Sequence, residues 1–465
     1  MTGAKFHTLR ERWKCCAGLF IGASLLVACS NMPAQELPLK RPDTAGAPHA
    51  RHYAAARTGA PLQMSEDNEV RLLIDGPQTF AAMFAAIENA RSTILLQTYI
   101  FEADELGQKM AALLIKKRAQ GVAVSVLYDS VGSIGTPQVF FQALRAAQIN
   151  VCEFNPVNPA AAKNPSRRSK SSINHRDHRK MLVVDAHSAF TGGVNVSSVY
   201  SHGSSSVGRG ASNKGASGKN ASDKSASEIS DPKKSGWRDT QIEVRGGAVD
   251  AFTRLFARTW QKQNCESVSG ALIVIKSTPS GRGDKLVRVL GSSPDEPGNE
   301  IYDALLNAIG RAERSVKITM AYFVPDPRTI EILTATARRG VEVSLILPGF
   351  SDAAVVFHAG RSHYQTLLDA GIRIYERQDV LLHAKTVLVD DVWATVGSSN
   401  MDWRSFLHND EVNAIVLNAA FGREMAALFD RDIARATRID PQAWSERGLT
   451  LRLQERWARI WDYWL

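Results

Sequence analysis

The chain has 465 residues, of which 44% are hydrophobic and 22% are charged. This length predicts two domains or one duplicated domain, and the composition excludes both wholesale disorder and a polytopic membrane protein. The formal net charge of +9 at pH 7 favours a polyanionic partner such as nucleic acid, a phosphate ester or an anionic membrane surface. Charge alone does not choose among these partners.

The N-terminus has the pattern of a targeting segment. Basic residues precede an apolar run at positions 17–28, which is followed by Cys29. This run is shorter than the roughly 20 residues that cross a bilayer, so it is typical of a secretory signal. Its end, Leu26–Cys29 (LVAC), resembles a bacterial lipobox. We expect a lipoprotein-type signal peptide at 1–28, a lipid anchor on Cys29 facing the periplasm, and a tether at 29–66. A plain signal peptide or a retained anchor is the alternative, and the choice between inner and outer membrane stays open.

The remaining chain contains an internal repeat. Arg91–Tyr99 (RSTILLQTY) recurs as Arg314–Tyr322 (RSVKITMAY), each after an amphipathic helical pattern. Two more strand-like segments recur, 121–128 as 340–347 and 149–153 as 372–376. Strands rich in Val, Ile and Leu that alternate with helices predict an α/β fold with strands covered on both faces. We predict two homologous α/β halves, at 67–270 and 271–440.

Two segments depart from the repeat. Residues 201–236 are rich in Ser, Ala, Gly and Lys with almost no apolar content, which predicts a disordered surface insertion; a basic arm on lipid head groups is the alternative. Residues 441–465 have Trp, Leu and Ile at helical spacing with arginines between them. They predict an amphipathic, Trp-rich C-terminal helix. Docking on its own domain is favoured over a position in a membrane interface.

The five cysteines have none of the short paired spacings of zinc sites and are too few for a disulfide scaffold. Structural zinc is therefore not expected. Cys152 lies inside a predicted strand, which favours a core position, with a disulfide to Cys265 as the less favoured alternative.

One motif appears once in each half with identical spacing. The first copy is His178-x-Lys180-x4-Asp185 followed by Gly192-Gly193-x-Asn195, and the second is His383-x-Lys385-x4-Asp390 followed by Gly397-Ser398-x-Asn400. Residues two apart on a strand share a face, so each His and its Lys point into the same site. Lysine is not an ordinary metal ligand, so positive protein groups are expected to neutralise phosphate there. We expect no metal and no cofactor.

These motifs resemble the HKD signature of the phospholipase D superfamily, from about residue 70 to 440. The flanking segments, among them Tyr99-Ile-Phe and Trp237-Arg-Asp239, look most similar to bacterial cardiolipin synthases. The resemblance implies two phospholipase D-like halves about a pseudo-twofold axis with one active site between them. It also implies a phosphatidyltransferase of the cardiolipin synthase type that acts through a phosphohistidine. A phospholipase D hydrolase or another phosphodiesterase, including a nuclease, is the alternative.

The resemblance also implies partners and residue roles. Phosphatidylglycerol or phosphatidylethanolamine and a membrane are the expected partners, and no nucleic acid is expected. His178 is the expected nucleophile, so it must be neutral, and His383 is the expected acid and base, so it must be protonated in the first step. The residues expected to bind the phosphate oxygens are Lys180, Lys385, Asn195, Asn400 and Ser398.

Carboxylates complete the predicted site. Glu411 lies 28 residues after His383, and Asp239 lies 61 after His178, a difference that the insertion accounts for. By resemblance, these two carboxylates orient the histidines. Asp185 and Asp390 belong to the catalytic signature, but they fall seven residues after their histidines, which favours hydrogen bonds in a turn over proton transfer.

Weaker candidates surround the first motif. His175 and His187 are expected to be ordinary loop histidines. A basic stretch before the motif either binds a second anionic head group or is a solvated loop; it comprises Lys163, Arg167, Arg168, Lys170 and Arg176.

Overall fold

The computed structural model describes residues 64–157, 174–204, 236–265 and 283–461. The predicted signal peptide, the lipidation site Cys29 and most of the tether lie outside the described residues, as does the predicted boundary between the halves at residue 270. The first strand begins at Ser65, so the folded part starts two residues inside the predicted tether.

The first half alternates strands and helices as predicted. Its strands are β1 (Ser65–Ile74), β2 (Thr93–Thr98), β3 (Ala123–Asp129), β4 (Asn150–Phe154), β5 (Arg176–Asp177), β6 (Met181–Val184), β7 (Ser188–Gly192), β8 (Trp237–Arg238) and β9 (Thr240–Arg245). Its helices are α1 (Asp75–Glu88), α2 (Glu105–Ala119), α3 (Gln138–Ala146) and α4 (Val249–Lys262), with a 3-10 turn at Ser198–Tyr200.

The second half repeats this order. Its strands are β10 (Lys285–Ser292), β11 (Ser315–Met320), β12 (Glu342–Pro348), β13 (Arg373–Arg377), β14 (Leu381–Leu382), β15 (Lys385–Val389), β16 (Trp393–Gly397), β17 (Asn409–Leu417) and β18 (Ala436–Arg438). Its helices are α5 (Glu300–Gly310), α6 (Pro327–Arg338), α7 (Ala354–Arg361), α8 (Tyr364–Asp369), α9 (Trp403–Leu407), α10 (Ala419–Ile433), α11 (Pro441–Ser445) and α12 (Leu449–Arg459).

One mixed sheet of 16 strands runs through both halves. From its centre outward, the first half has the order β1-β9-β7-β6-β2-β3-β4, and the second has the equivalent order β10-β17-β16-β15-β11-β12-β13, followed by β18. β1 pairs with β10 in an antiparallel arrangement, which joins the halves. The fold is therefore the predicted pair of α/β halves, with matching strand order on the two sides of the β1–β10 pairing.

Local sequence explains why these elements form. Every residue of β2 is buried, as expected for a strand covered on both faces. Helix α6 begins where Asp326 caps the backbone N–H groups of Arg328 and Thr329, with Pro327 in its first turn. Helix α4 buries Phe252 and Phe256 completely; burial of such a side chain contributes about 1.5–3 kcal/mol.

Two short parallel pairings cross between the halves. β5 of the first half pairs with β17 of the second, and β14 of the second half pairs with β8 of the first. These pairings lie directly before the two His-x-Lys motifs in the chain. They therefore decide what faces each histidine.

A disulfide joins Cys152 on β4 to Cys265 after α4, with a Cα–Cα distance of 5.6 Å. Cys152 is also buried in the core, so the favoured expectation of a plain core cysteine was incomplete. The partner lies 113 residues away, and sequence spacing does not reveal such a contact.

The predicted insertion is shorter at both ends than 201–236. Ser204 is buried, and its N–H and hydroxyl donate to Oδ2 of Asp75 at 2.7 and 2.5 Å. Gly236 is also buried. Residues 201–204 and 236 therefore belong to the folded part, and 205–235 lie outside the described residues.

The C-terminal segment forms two helices instead of the single one predicted. α11 begins at Pro441, capped by Asp440, and α12 begins after Gly448. Over the described ranges, the helices include none that combines the length and the apolar character needed to cross a membrane.

We predict that deleting 205–235 behind a short linker leaves the free energy of unfolding nearly unchanged, because loop length affects closure entropy only logarithmically. Deleting 201–236 also removes the Ser204 donors from the Asp75 carboxylate and is expected to cost about 1.5–3 kcal/mol. Urea denaturation of both variants measures the difference. Equal stability of the two would show that Ser204 contributes nothing.

Candidate active site

The crossed pairings hold both motif histidines by their backbones. The N–H of His178 donates to the carbonyl of Asp410 at 2.9 Å, and the N–H of His383 donates to the carbonyl of Arg238 at 2.8 Å. Each histidine is thus attached to a strand of the opposite half. The two motifs are positioned in the same way.

Each imidazole faces a carboxylate from the other half. Nδ1 of His178 lies 2.9 Å from Oε1 of Glu411, and Nδ1 of His383 lies 2.8 Å from Oδ2 of Asp239. All these side chains are buried. The sequence comparison pointed to both carboxylates as partners of the histidines. Each carboxylate contacts the histidine of the opposite half, because Glu411 follows Asp410 of β17 and Asp239 follows β8, the two strands that pair across the halves. With Nδ1 held, Nε2 is the nitrogen available for chemistry.

The two motif lysines are buried beside the histidines. Nζ of Lys180 donates to the carbonyl of His178 at 2.6 Å, and Nζ of Lys385 donates to the carbonyl of His383. Lys180 also lies over the ring of Tyr99, 5.2 Å from its centroid. Burial lowers the pKa of Lys180 to about 7 and that of Lys385 to about 8. An anion entering the site would stabilise both ammonium groups.

Both imidazoles have a lowered pKa. Burial, followed by the charges of Lys180 and Lys385, holds the pKa of His178 well below its usual value of 6.5. Burial and Lys385 lower the pKa of His383 to about 4, against the opposing effect of Asp239. In the free protein both imidazoles are therefore neutral at pH 7. This state suits the expected nucleophile but differs from the protonated state expected of the acid.

Aromatic rings line the site, and the motifs alone did not assign them a role. Tyr99 packs edge-on against His178 with ring centroids 5.1 Å apart, and Tyr322 packs edge-on against His383 at 6.4 Å. Trp237 also contacts the His383 ring, at 5.1 Å. The sequence did carry a signal, because Tyr99 and Tyr322 end the same repeated segment.

The residues predicted to bind phosphate oxygens have different environments. The Asn195 side chain donates to the Tyr200 hydroxyl at 3.1 Å. Oδ1 of Asn400 is buried and has no hydrogen-bond partner among the residues that the structure describes. Ser398 instead donates its hydroxyl proton to Glu411 at 2.5 Å. In the free protein the Ser398 hydroxyl therefore supports a carboxylate, and its contact with phosphate stays a prediction.

The motif aspartates lie at the far ends of their strands. The Asp185 carboxylate accepts from the N–H groups of Ser92 and Thr93 at 2.7 and 2.8 Å. Asp390 accepts from the N–H groups of Arg314 and Ser315 at 2.7 and 3.0 Å. Seven residues along a strand correspond to roughly 20 Å. These hydrogen bonds fix the starts of β2 and β11, which is the structural role that the sequence favoured for both aspartates.

The weaker candidates also have defined places. Arg176 is buried 3.6 Å from the carboxylate of Asp129, so it does not extend toward a head group. His175 is no ordinary loop histidine: it is buried, and its Nε2 lies 2.8 Å from Asp410 across the halves. His187 is exposed. The other basic residues before the motif, Lys163, Arg167, Arg168 and Lys170, lie outside the described residues.

Among the side chains that the structure describes, no group of three or more His, Cys, Asp or Glu residues is arranged to hold a metal ion. The cationic groups beside the histidines are Lys180 and Lys385.

Both halves of the chain match a known protein family in sequence. The family model described as cardiolipin synthase, PLD-like domain, matches residues 83–201 and 305–433, once in each half. The chain is 32% identical over 393 residues to a cardiolipin synthase of Geobacillus sp. (strain WCH70), covering 84% of this chain and 71% of the relative. It belongs to the cardiolipin synthase family of phospholipase D-like proteins. The chain is accordingly an enzyme of the phosphatidyltransferase or phospholipase D type.

Further comparisons extend the family assignment. Cardiolipin synthase 1 of Bacillus anthracis is 31% identical over 431 residues, which cover 91% of this chain and 78% of the relative. The crystal structure of phosphatidylserine synthase from Haemophilus influenzae Rd KW20 shares the fold with a TM-score of 0.59 and 13% identity, over 89% of this chain and 98% of that one.

Gly193 and Ser398 occupy the one position among the named motif residues at which the two halves of this chain differ. A Cβ atom at Gly193 would lie 2.2 Å from Oδ1 of Asp239. The equivalent Ser398 instead donates to the longer Glu411. The shorter Asp239 thus brings its carboxylate against the backbone, and only glycine leaves room for it.

We predict that Gly193→Ala displaces Asp239 from His383 and lowers turnover of phospholipid by about 10²-fold, because small misplacements at a reacting centre have effects of this size. Gly135→Ala is the matched control, since its Cβ would meet nothing within 4 Å. Steady-state kinetics and circular dichroism measure activity and folding. Unchanged turnover in a folded Gly193→Ala variant would contradict the role assigned to Asp239.

Proposed function

We propose that the protein transfers a phosphatidyl group between phospholipid alcohols, in a reaction of the cardiolipin synthase type, through a phosphohistidine. The observation that carries the proposal is the pair of buried histidine–carboxylate contacts that cross between the halves. Two imidazoles, each held at Nδ1, can supply a nucleophile and an acid–base group to one phosphodiester. The names of the sequence relatives support phospholipids as substrates.

In the first step, Nε2 of His178 attacks phosphorus in line with the leaving alcohol. A P–N bond forms as the P–O bond breaks, and His383 gives a proton to the leaving oxygen. Glu411 accepts the Nδ1–H of His178 and stabilises the positive charge that this ring acquires. Burial raises the pKa of Glu411 to about 7. The positive charge on the His178 ring acts in the opposite direction and favours the ionised form of Glu411.

In the second step, an incoming lipid alcohol loses its proton to His383 and attacks phosphorus, and the P–N bond to His178 breaks. Proton and charge then return to their starting positions. Lys180 and Lys385 neutralise the non-bridging oxygens as charge develops on them. The amides of Asn195 and Asn400 are the neutral donors that we assign to the same oxygens.

The acid function of His383 depends on the substrate. Its pKa of about 4 in the free protein leaves it neutral at pH 7. A phosphodiester anion beside the ring favours the imidazolium and raises this pKa on binding, in the same direction as Asp239. We therefore assign proton uptake by His383 to substrate binding.

Phosphatidylglycerol or phosphatidylethanolamine is the donor that we propose. A hydrolase uses the same first step with water as acceptor, and a nuclease uses it on a nucleic acid phosphodiester. The similarity to cardiolipin synthases favours lipid acceptors, and no nucleic acid partner is proposed.

We also infer that the enzyme is lipid-anchored at Cys29 and faces the periplasm. The lipobox-like sequence before this residue supports the anchor. The Cys152–Cys265 disulfide supports an oxidising compartment.

We predict that the two histidine variants differ in a trapping experiment. His178→Ala should form no adduct, because no nucleophile remains. His383→Ala should accept the phosphoryl group from a nitrophenyl phosphodiester, whose leaving group needs no proton, and then stall for lack of a base. Intact-mass spectrometry and peptide mapping should place the adduct on His178.

Catalytically inactive but folded proteins are required for this comparison, so circular dichroism of both variants is the control. The two roles would be reversed by an adduct on His383 in the His178→Ala variant together with no adduct on His178 in the His383→Ala variant. No adduct in either variant would refute the covalent mechanism.

We predict that kcat/KM falls as pH rises through about 7 to 8. A lysine is charged only below its pKa, and burial lowers the pKa to about 7 for Lys180 and to about 8 for Lys385. Because kcat/KM reports the titration of groups in the free enzyme, it should follow the loss of these charges. The phosphodiester keeps its charge throughout. A pH profile on a nitrophenyl phosphodiester measures this, and a flat profile up to pH 10 would contradict it, provided that the enzyme stays folded.

A further inference from the structure

Exposed large hydrophobic side chains are concentrated on α12 and the residues directly after it. Trp457 is 58% exposed, Ile460 is 62% exposed and Leu453 is 65% exposed. Leu449, Leu451 and Trp461 are exposed as well. Soluble proteins rarely leave so many large apolar side chains together in water unless the surface binds something.

One side of α12 is already packed. Ala458 is buried against Val356 of α7, and the buried Glu455 accepts from Arg447 at 2.6 Å. This contact agrees with the predicted docking of the C-terminal segment on its own domain. It uses only part of the helix circumference.

The exposed apolar residues form a separate stripe. It comprises Leu449, Leu453, Trp457, Ile460 and Trp461, whose spacing of three to four residues places them on one side of a helix. At 100° per residue, Arg452, Arg456 and Arg459 fall between this stripe and the buried face. The helix therefore has a docked face, an arginine edge and an apolar stripe.

The docked face of α12 is connected to the residues around His383 through α7. Val356 packs against α12 and, with Phe357, also lines a cleft that contains Tyr322. Tyr322 packs against His383. The C-terminal helix thus packs on an element that lines a cleft at Tyr322, one of the rings that contact His383.

Other exposed apolar residues lie on loops next to the site. Ile134 is 73% exposed and follows Ser133, whose hydroxyl donates to the carbonyl of Tyr99 at 3.3 Å. Leu407 is 40% exposed at the end of α9, two residues before the start of β17. Segments of both halves beside the site thus present apolar side chains to the exterior.

We propose that the apolar stripe of α12 inserts into the interface of an anionic bilayer and holds the catalytic cleft against it. Tryptophan is suited to the boundary between head groups and acyl chains, and arginines at the edge of such a helix attract anionic head groups. The arginine edge is the reason to choose an anionic membrane over an apolar protein partner. The proposal rests on the proposed function for its purpose, because it lets a phospholipid reach the histidines from the membrane.

Vesicle flotation of the processed chain from residue 29, carrying Cys29→Ser to prevent acylation, tests the surface without the lipid anchor. The probes are vesicles of phosphatidylcholine with and without phosphatidylglycerol. Joint substitution Trp457→Ser and Trp461→Ser should weaken partitioning by about tenfold or more, since each buries apolar area in the interface. Joint substitution Trp457→Phe and Trp461→Phe should retain most binding, which separates apolarity from folding.

The arginine edge has its own test. Joint substitution of Arg452, Arg456 and Arg459 by Gln should weaken binding to vesicles with phosphatidylglycerol by about fivefold per arginine and change binding to pure phosphatidylcholine little. Arg423→Gln is the matched control, because Arg423 is exposed on α10 near the β15–β16 turn, away from His383. It should bind like the parent.

Activity separates this proposal from the proposed function. The Trp→Ser variant should keep its turnover of monomeric short-chain phosphatidylglycerol and lose it on vesicles. Parent protein that binds vesicles but transfers no phosphatidyl group would refute only the proposed function. Full vesicle binding by the Trp→Ser variant would contradict the proposed membrane-binding surface. So would a parent protein that does not bind vesicles and instead self-associates through the stripe in sedimentation experiments.

Discussion

Two short parallel strand pairings between the halves hold the whole site together. Each fixes a histidine backbone to the opposite half, through hydrogen bonds of His178 to Asp410 and of His383 to Arg238. The next residue of the bridging segment then presents its carboxylate to the imidazole. Neither half contains a complete histidine–carboxylate pair. One duplicated unit alone would therefore lack an oriented imidazole, so the site requires both copies.

The site concentrates ionisable groups in a buried space, and this concentration sets their behaviour. Burial lowers the pKa of both histidines and both lysines and raises that of Glu411. Breaking one buried pair would leave an uncompensated charge, at a cost of about 3–5 kcal/mol. A bound anionic phosphodiester would stabilise the charged forms of the buried lysines. The free site is thus electrostatically suited to a negatively charged substrate, at the expense of stability.

The two halves of the site match in some contacts and differ in others. Gly193 accommodates the short Asp239, whereas Ser398 supports the longer Glu411, so the two histidines have unequal surroundings. The C-terminal helix α12 adds a second asymmetry, because it packs on α7 of the second half. The mechanism that we propose needs such unequal environments, because in it one imidazole attacks and the other transfers a proton.

The duplicated α/β fold, the two His-x-Lys motifs and the resemblance to the family could be predicted from the amino-acid sequence alone, because these features lie in local periodicity and in spacing along the chain. The resemblance, together with their spacing from the histidines, also pointed to Glu411 and Asp239. Only the tertiary structure decided that these carboxylates are exchanged between the halves and that Cys152 bonds to Cys265. Such contacts depend on the register between segments far apart in the chain, and local spacing carries no information about that register.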